Sequence, residues 1–484
     1  MTFLPTGISH ASHAFAGLNA RDREGLVFNT RRGMLKAGLA GMAGITLPAL
    51  LRSRSEVVAG SPSKEPRSVI LLWMAGGPSH IDMWDPKPDR PYENRGPFGV
   101  IHSKLPGVFL CEHLPKQAAM LDKFTLIRSV DARYSNHEPN KVMQTANNDA
   151  EPRLSRNGDM YPSFGSIIAK MRGPNHPSMP PYVAFMKSQS HVGFAGYLGK
   201  QYDPFIAQTA CKLPIYTDVG VDTGRTTGAN LFQLPRGLDQ SRIHNRRSLL
   251  QEFDRLRSDV DHSGSMEALD SYGQQAVELV LGRRAQEAFD IERESAESRE
   301  RYGKHLWAQQ ALLARRLVEA GVGFVTLDLS YHASSGTWDT HGDNIPPYGG
   351  IKSGLQPLLP IFDHLITTLV ADLEERGLLE STLVIAMGEF GRTPNIGTQG
   401  SIDGRNHWPA VMSMVMAGGK YRHGQVIGAT EPDGGQIAAR PVTPGDLAAT
   451  IYHHMQVPLD ATYLDPRGRP RYIIENGAPI AEMI

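Results

Sequence analysis

A chain of 484 residues in which 50 Lys and Arg balance 50 Asp and Glu has no basic excess for tracking phosphates, which argues against nucleic acid as its main partner. Its two cysteines, Cys111 and Cys211, give neither a metal-finger spacing nor a CxxC motif, leaving one disulfide or two free thiols. With 49 Gly and 34 Pro, the composition suits a loop-rich α/β protein of one large domain, or two to three ordinary ones, better than a bundle or coiled coil.

The chain opens with a long polar leader, then Thr30-Arg31-Arg32-Gly33-Met34-Leu35-Lys36 and a Gly/Ala-rich apolar run to Leu51, the form of a twin-arginine export signal. Lys36, the glycines and Pro48 make that run a poor membrane span. Val57-Val58-Ala59 offers a cleavage site after Ala59. The expectation is a signal and linker over residues 1–65 and a single α/β domain over 66–484. Its place is periplasmic or secreted, its partner during export is the twin-arginine machinery, and no membrane span remains in the mature protein.

Ser68–Met74 is apolar enough for a strand buried on both faces, and it runs into a loop carrying His80, Asp82 and Asp85. Lys123–Val130 is a second strand, followed by the polar loop Asp131–Asn140 with Ser135 and His137. That loop leads to a short helix near Lys141–Ala146, whose amino end is a place to hold an anion. Residues from about 150 to 240 are irregular and read as excursions over the sheet. Ser241–Gln286 has helical periodicity, completing an insertion to about residue 300 whose charge run at Glu292–Arg301 is a solvated face. His305–Ala320 is a helix with Gly321 as its C-cap, and Val322–Leu329 is the next strand, ending near Asp339, His341 and Asp343. A helix beginning no later than Pro360 and ending at Gly377 returns the chain to the strand Thr382–Met387. Then come Glu389, Arg392, Arg405 and His407 before the apolar run Val411–Ala417, and a last helix starts at Thr443 and passes through His453-His454.

Four strands therefore end in polar loops, and parallel strands would bring all four loops to one rim. Carboxylates and imidazoles without cysteine suit hard to borderline divalent ions such as Zn, Mn or Mg. Paired ions would polarise a phosphoryl or sulfuryl oxygen, with Arg392 or Arg405 holding the non-bridging oxygens. The competing reading is that these charges only brace the fold.

GGPSHIDMWDPKP, the CEHLP and LIRSV segments, YGKHLWAQQALLARRLVEAGVGFV, WDTHGDN, GEFGRTP and GRNHWP, in this order, resemble the exported bacterial family catalogued as domain of unknown function 1501. The match covers essentially everything after the signal. That family is grouped with the alkaline phosphatase and sulfatase superfamily, so the resemblance implies a doubly wound, mostly parallel sheet flanked by helices and a divalent metal cofactor (Zn, Mn, Mg or Ca). It also implies hydrolysis of a sulfate or phosphate ester, on a small molecule or a polysaccharide. By the same resemblance Asp82, Asp339, His341, Glu389 and His407 would be metal ligands, with Glu389 where the superfamily has Asp. The imidazole that should follow is replaced by Phe390, and no sulfatase Cys/Ser-x-Pro-x-Arg signature occurs. The nucleophile belongs in the Ser135-Asn136-His137 loop, where Ser135 is the one hydroxyl. A site reduced in this way would use a metal-activated water, or belong to a non-catalytic exported binding protein that keeps the fold.

Overall fold

Val69 to Trp73 are each at most 2% exposed, and a strand dry on both faces needs a neighbour on each edge and a layer over each face. The structure, a computed structural model, describes residues 65–135, 141–150, 160–186, 191–218, 221–227, 283–330, 338–342, 349–397 and 400–484. In it this run is β1 (Ser68–Trp73) of an eight-stranded sheet. The others are β2 (Phe124–Val130), β3 (Tyr182–Phe185), β4 (Phe205–Ile206), β5 (Phe324–Asp328), β6 (Thr382–Met387), β7 (Met412–Gly418) and β8 (Gln425–Ile427). Their spatial order is β8-β2-β7-β6-β1-β5-β3-β4. Only β7 runs against the rest, antiparallel to both β6 and β2.

Side chains alternate across a strand, so β1 sends Ile70 and Leu72 to one face and Val69, Leu71 and Trp73 to the other. The helices α2 (Leu306–Ala320) and α3 (Gln356–Glu375) cover the first face, and α1 (Phe164–Met171) and α4 (Pro444–His454) cover the second. The sheet is thus doubly wound. Gly321 ends α2 in the left-handed conformation at φ 115°, and the Thr443 hydroxyl accepts the Asp446 N–H at 3.1 Å to start α4. A π-helical turn, Ile351–Leu355, leads into α3, and Asp403 from a distant loop accepts the Lys352 and Ser353 N–H groups at its start, at 2.9 and 3.1 Å.

Two expectations are corrected. The irregular stretch after residue 150 supplies β3, β4 and α1, because Tyr182–Phe185 is only four apolar residues long and too short for periodicity to reveal. Ile351–Glu375 is long and apolar enough to cross a membrane, contrary to the reading that nothing after the leader is. However, 67% of its most apolar window is buried inside the domain, where it serves as a core helix. Cys111 and Cys211 are buried free thiols, each pushed by burial up to about 12. The export signal, its cleavage point and most of the helical stretch after Ser241 lie outside the described residues.

His454 gives the fold a pH dependence. Its imidazole is buried against β1, donating from Nε2 to the Ser68 carbonyl at 2.9 Å, and burial pushes its pKa from 6.5 down to about 4. The unfolded chain therefore takes this proton near pH 6.5 and the folded chain only near 4. Stability present above pH 6.5 is lost as pH falls through that window, on the order of 3 kcal/mol in all. Asp363, raised by burial from 3.8 to about 6, acts in the opposite direction and loses its contribution as pH rises. Urea unfolding at pH 7 and pH 4.5 should show His454→Gln losing less stability on acidification than the parent chain.

Candidate metal centre

The carboxyl ends of β1, β2, β5 and β6 lie at one rim, and the oppositely directed β7 begins there, so the 400–411 loop before it belongs to the same rim. At the end of β1 the chain turns at Gly76 (φ 120°), where a Cβ would come within 2.6 Å of the Asp339 backbone nitrogen. Only glycine lets these two loops meet. The Gly76 N–H then donates to Glu389 Oε1 at 2.8 Å, and its carbonyl accepts from Arg392 Nη2. Arg392 also donates from Nε to Gly77 O at 2.9 Å, from Nη1 to Arg405 O at 3.1 Å and from Nη2 to Asp339 Oδ1 at 2.5 Å.

Arg405 is equally buried. Its Nε and Nη2 donate to the two oxygens of Asp82 at 2.7 and 3.3 Å, and its remaining N–H groups go to the carbonyls of Asn94, Thr393 and Pro394 at 2.7, 3.0 and 2.5 Å. All five guanidinium donors are therefore taken. Asp82 Oδ2 accepts in addition from Ser79 at 2.5 Å.

Above this buried layer stand Asp339, His341 and His407. His341 Nε2 is 2.9 Å and His407 Nε2 3.6 Å from Asp339 Oδ1, and the three candidate ligand atoms all lie within 4.8 Å of one another. A tetrahedral ion with bonds near 2.0–2.1 Å spaces its ligands at about 3.3 Å, between those two distances. Two imidazoles and a carboxylate, without sulfur, fit a borderline divalent ion, and three protein ligands would leave a position open for substrate. Asp339 and His341 are buried, whereas the His407 side chain is 30% exposed and marks the open side. His407 is held by backbone pairing with Arg392 and by the Phe390 ring, 4.6 Å away.

The structure thus gathers three of the five expected ligands. Asp82 stands apart from them as the ion-pair partner of Arg405, which donates to both of its oxygens. Glu389 is fully buried, and one of its oxygens serves Gly76 rather than the cluster. Arg392 and Arg405, expected to hold substrate oxygens, are both fully buried and donate to backbone carbonyls and aspartates. Ser135 is buried at the same rim, and its hydroxyl has no hydrogen-bond partner among the described residues. Its loop is tied to the His407 segment by Ala132 N–H donating to Pro409 O at 3.1 Å. His137 and Asp343 lie outside the described residues. Sequence reasoning gave no role to Asp403, whose hold on α3 anchors the loop bearing Arg405 and His407; a carboxylate capping a helix from another segment leaves no local signature.

A profile for a protein family of unknown function, DUF1501, matches residues 66–484. The chain belongs to the DUF1501 family. This DUF1501 protein is distantly similar in structure to Ps i-CgsB, at 11% identity and a TM-score of 0.38 over 81% of this chain and 73% of that one. It is similar likewise to the PsFucS1 sulfatase from Pseudoalteromonas sp., at 13% and 0.37 over 84% and 70%. A third is the C-terminal periplasmic domain of EcEptC from Escherichia coli in complex with Zn, at 10% and 0.32 over 87% and 92%. None of the curated proteins matches it in sequence.

The Asp82–Arg405 pair makes a prediction about stability. Arg405→Met leaves a buried carboxylate without its cation and should cost about 3–5 kcal/mol. The double variant Asp82→Asn with Arg405→Met should recover part of that loss, read as a urea midpoint higher than that of Arg405→Met alone.

Proposed function

We propose that this DUF1501 protein is an exported, metal-dependent hydrolase of sulfate or phosphate esters, small or carried on a polysaccharide. The observation behind this reading is the convergence of Asp339, His341 and His407 at the carboxyl rim of a mostly parallel sheet, where ligands of α/β folds bind. Those three residues would hold a divalent ion, and the donor set favours Zn or Mn over Mg or Ca. When bound, such an ion supplies Lewis-acid polarisation of an ester oxygen.

The chain does the positioning. Arg392 fixes the Asp339 carboxylate through a buried charge-assisted bond, as outer groups commonly do for metal ligands. Phe390 restrains the His407 ring from one side. The Ser135 hydroxyl, buried at the same rim and without a hydrogen-bond partner among the described residues, is the attacking group in this reading, with His137 of the same loop close to it in sequence. Export by the twin-arginine route rests on Arg31-Arg32 and the apolar run after it.

A second reading, a non-catalytic binding protein, draws support from the two arginines, which have no role left in holding a substrate anion. Metal analysis of protein purified without a chelating tag separates the two. The hydrolase reading expects about one ion per chain, lost in Asp339→Asn and His341→Asn. It also expects aryl phosphate or aryl sulfate turnover that falls about a hundredfold or more in Ser135→Ala. A metal-free protein that stays inactive when Zn or Mn is added would overturn it, and ligand binding without turnover would favour the second reading.

A further inference from the structure

A second pair of titratable groups stands at the same rim. Asp328 is the last residue of β5, its side chain wholly buried, and its Oδ2 lies 3.0 Å from Nδ1 of His191, whose side chain is 24% exposed. Facing a carboxylate, Nδ1 must carry the proton, so Nε2 is the nitrogen that can give or take one. The backbone of His191 is held as firmly as its ring. Buried Gln144, on the short helix after the Ser135 loop, donates from Nε2 to His191 O and accepts from Gly193 N–H, both at 2.7 Å. Gly193 is needed there, because a Cβ would come within 2.6 Å of Ser163.

Asp328 lies opposite Trp73 of β1, three residues before Gly76, the glycine that meets the Asp339 backbone. Val192 packs in one buried cluster with Ala132 and Met143, which flank the Ser135 segment, and with Phe390, the ring against His407. An imidazole oriented by a buried carboxylate and partly open to solvent, at the rim that also carries the candidate ligands, is the arrangement of a general acid and base.

We propose that His191 is the proton donor to the leaving group, with Asp328 as its positioning residue. The proposal rests on the hydrolase reading. As the attacking oxygen bonds to phosphorus or sulfur, the bond to the ester oxygen breaks and its electron pair stays on that oxygen. The pair takes the Nε2 proton of the His191 imidazolium, leaving a neutral imidazole whose Nδ1–H still bonds Asp328.

The test compares a nitrophenyl ester, whose leaving group needs no proton, with an alkyl ester of the same acid. His191→Gln should keep its metal content and lose about 10²–10⁴-fold on the alkyl ester, but less than about tenfold on the nitrophenyl ester. Asp328→Asn should show the same asymmetry, and added imidazole should restore alkyl-ester turnover to His191→Ala. Equal losses on both esters, or none, in an active parent enzyme would overturn the proposal alone. A parent enzyme inactive on both, with metal added, would overturn the hydrolase reading and this proposal with it.

Discussion

A guanidinium removed from water has to find an acceptor for each of its N–H groups, and at this rim the acceptors come from several loops at once. Arg405 collects Asp82 and Asn94 from the stretch after β1 and the Thr393 and Pro394 carbonyls from the stretch after β6. Arg392 collects Gly76, Gly77, Asp339 and the Arg405 carbonyl itself. The two side chains thus act as cross-braces among segments hundreds of residues apart. The imidazoles of His341 and His407 stand on this layer, and their spacing is inherited from it.

Two of the three buried carboxylates here face a guanidinium. Asp82 faces Arg405 and Asp339 faces Arg392, while Glu389 is fully buried against the Gly76 amide beside them. Such pairs add little net stability over well-packed apolar groups, but breaking one is costly, so the layer favours one arrangement strongly over its near neighbours. A site that must hold three ligand atoms to within an ångström benefits from that kind of support.

The long β-branched runs announced their strands to within a residue or two, since a strand dry on both faces has to be continuously apolar. β3 and β4 went unseen because short strands preceded by proline carry no period. Asp339 and His341, two residues apart after a buried strand, were legible as a candidate ligand pair. His407 needed only the guess that parallel strands share a rim. What sequence could not say is whether a charged side chain points into or out of the protein, so the burial of Arg392, Arg405 and Asp82 was not legible. The His191–Asp328 pair, 137 residues apart, was invisible because neither partner sits in a suggestive local pattern.

The position of β1 has a cost during synthesis. It is the first strand made, yet its neighbours β5 and β6 arrive much later: Ser68 bonds Val322, 254 residues further on, and Gly76 waits for Glu389, 313 residues on. Until then the emerging polypeptide carries an unpaired, wholly apolar segment, the kind of edge that sticks to copies of itself. Until β5 and β6 arrive, that segment depends on protection by something other than its own native neighbours.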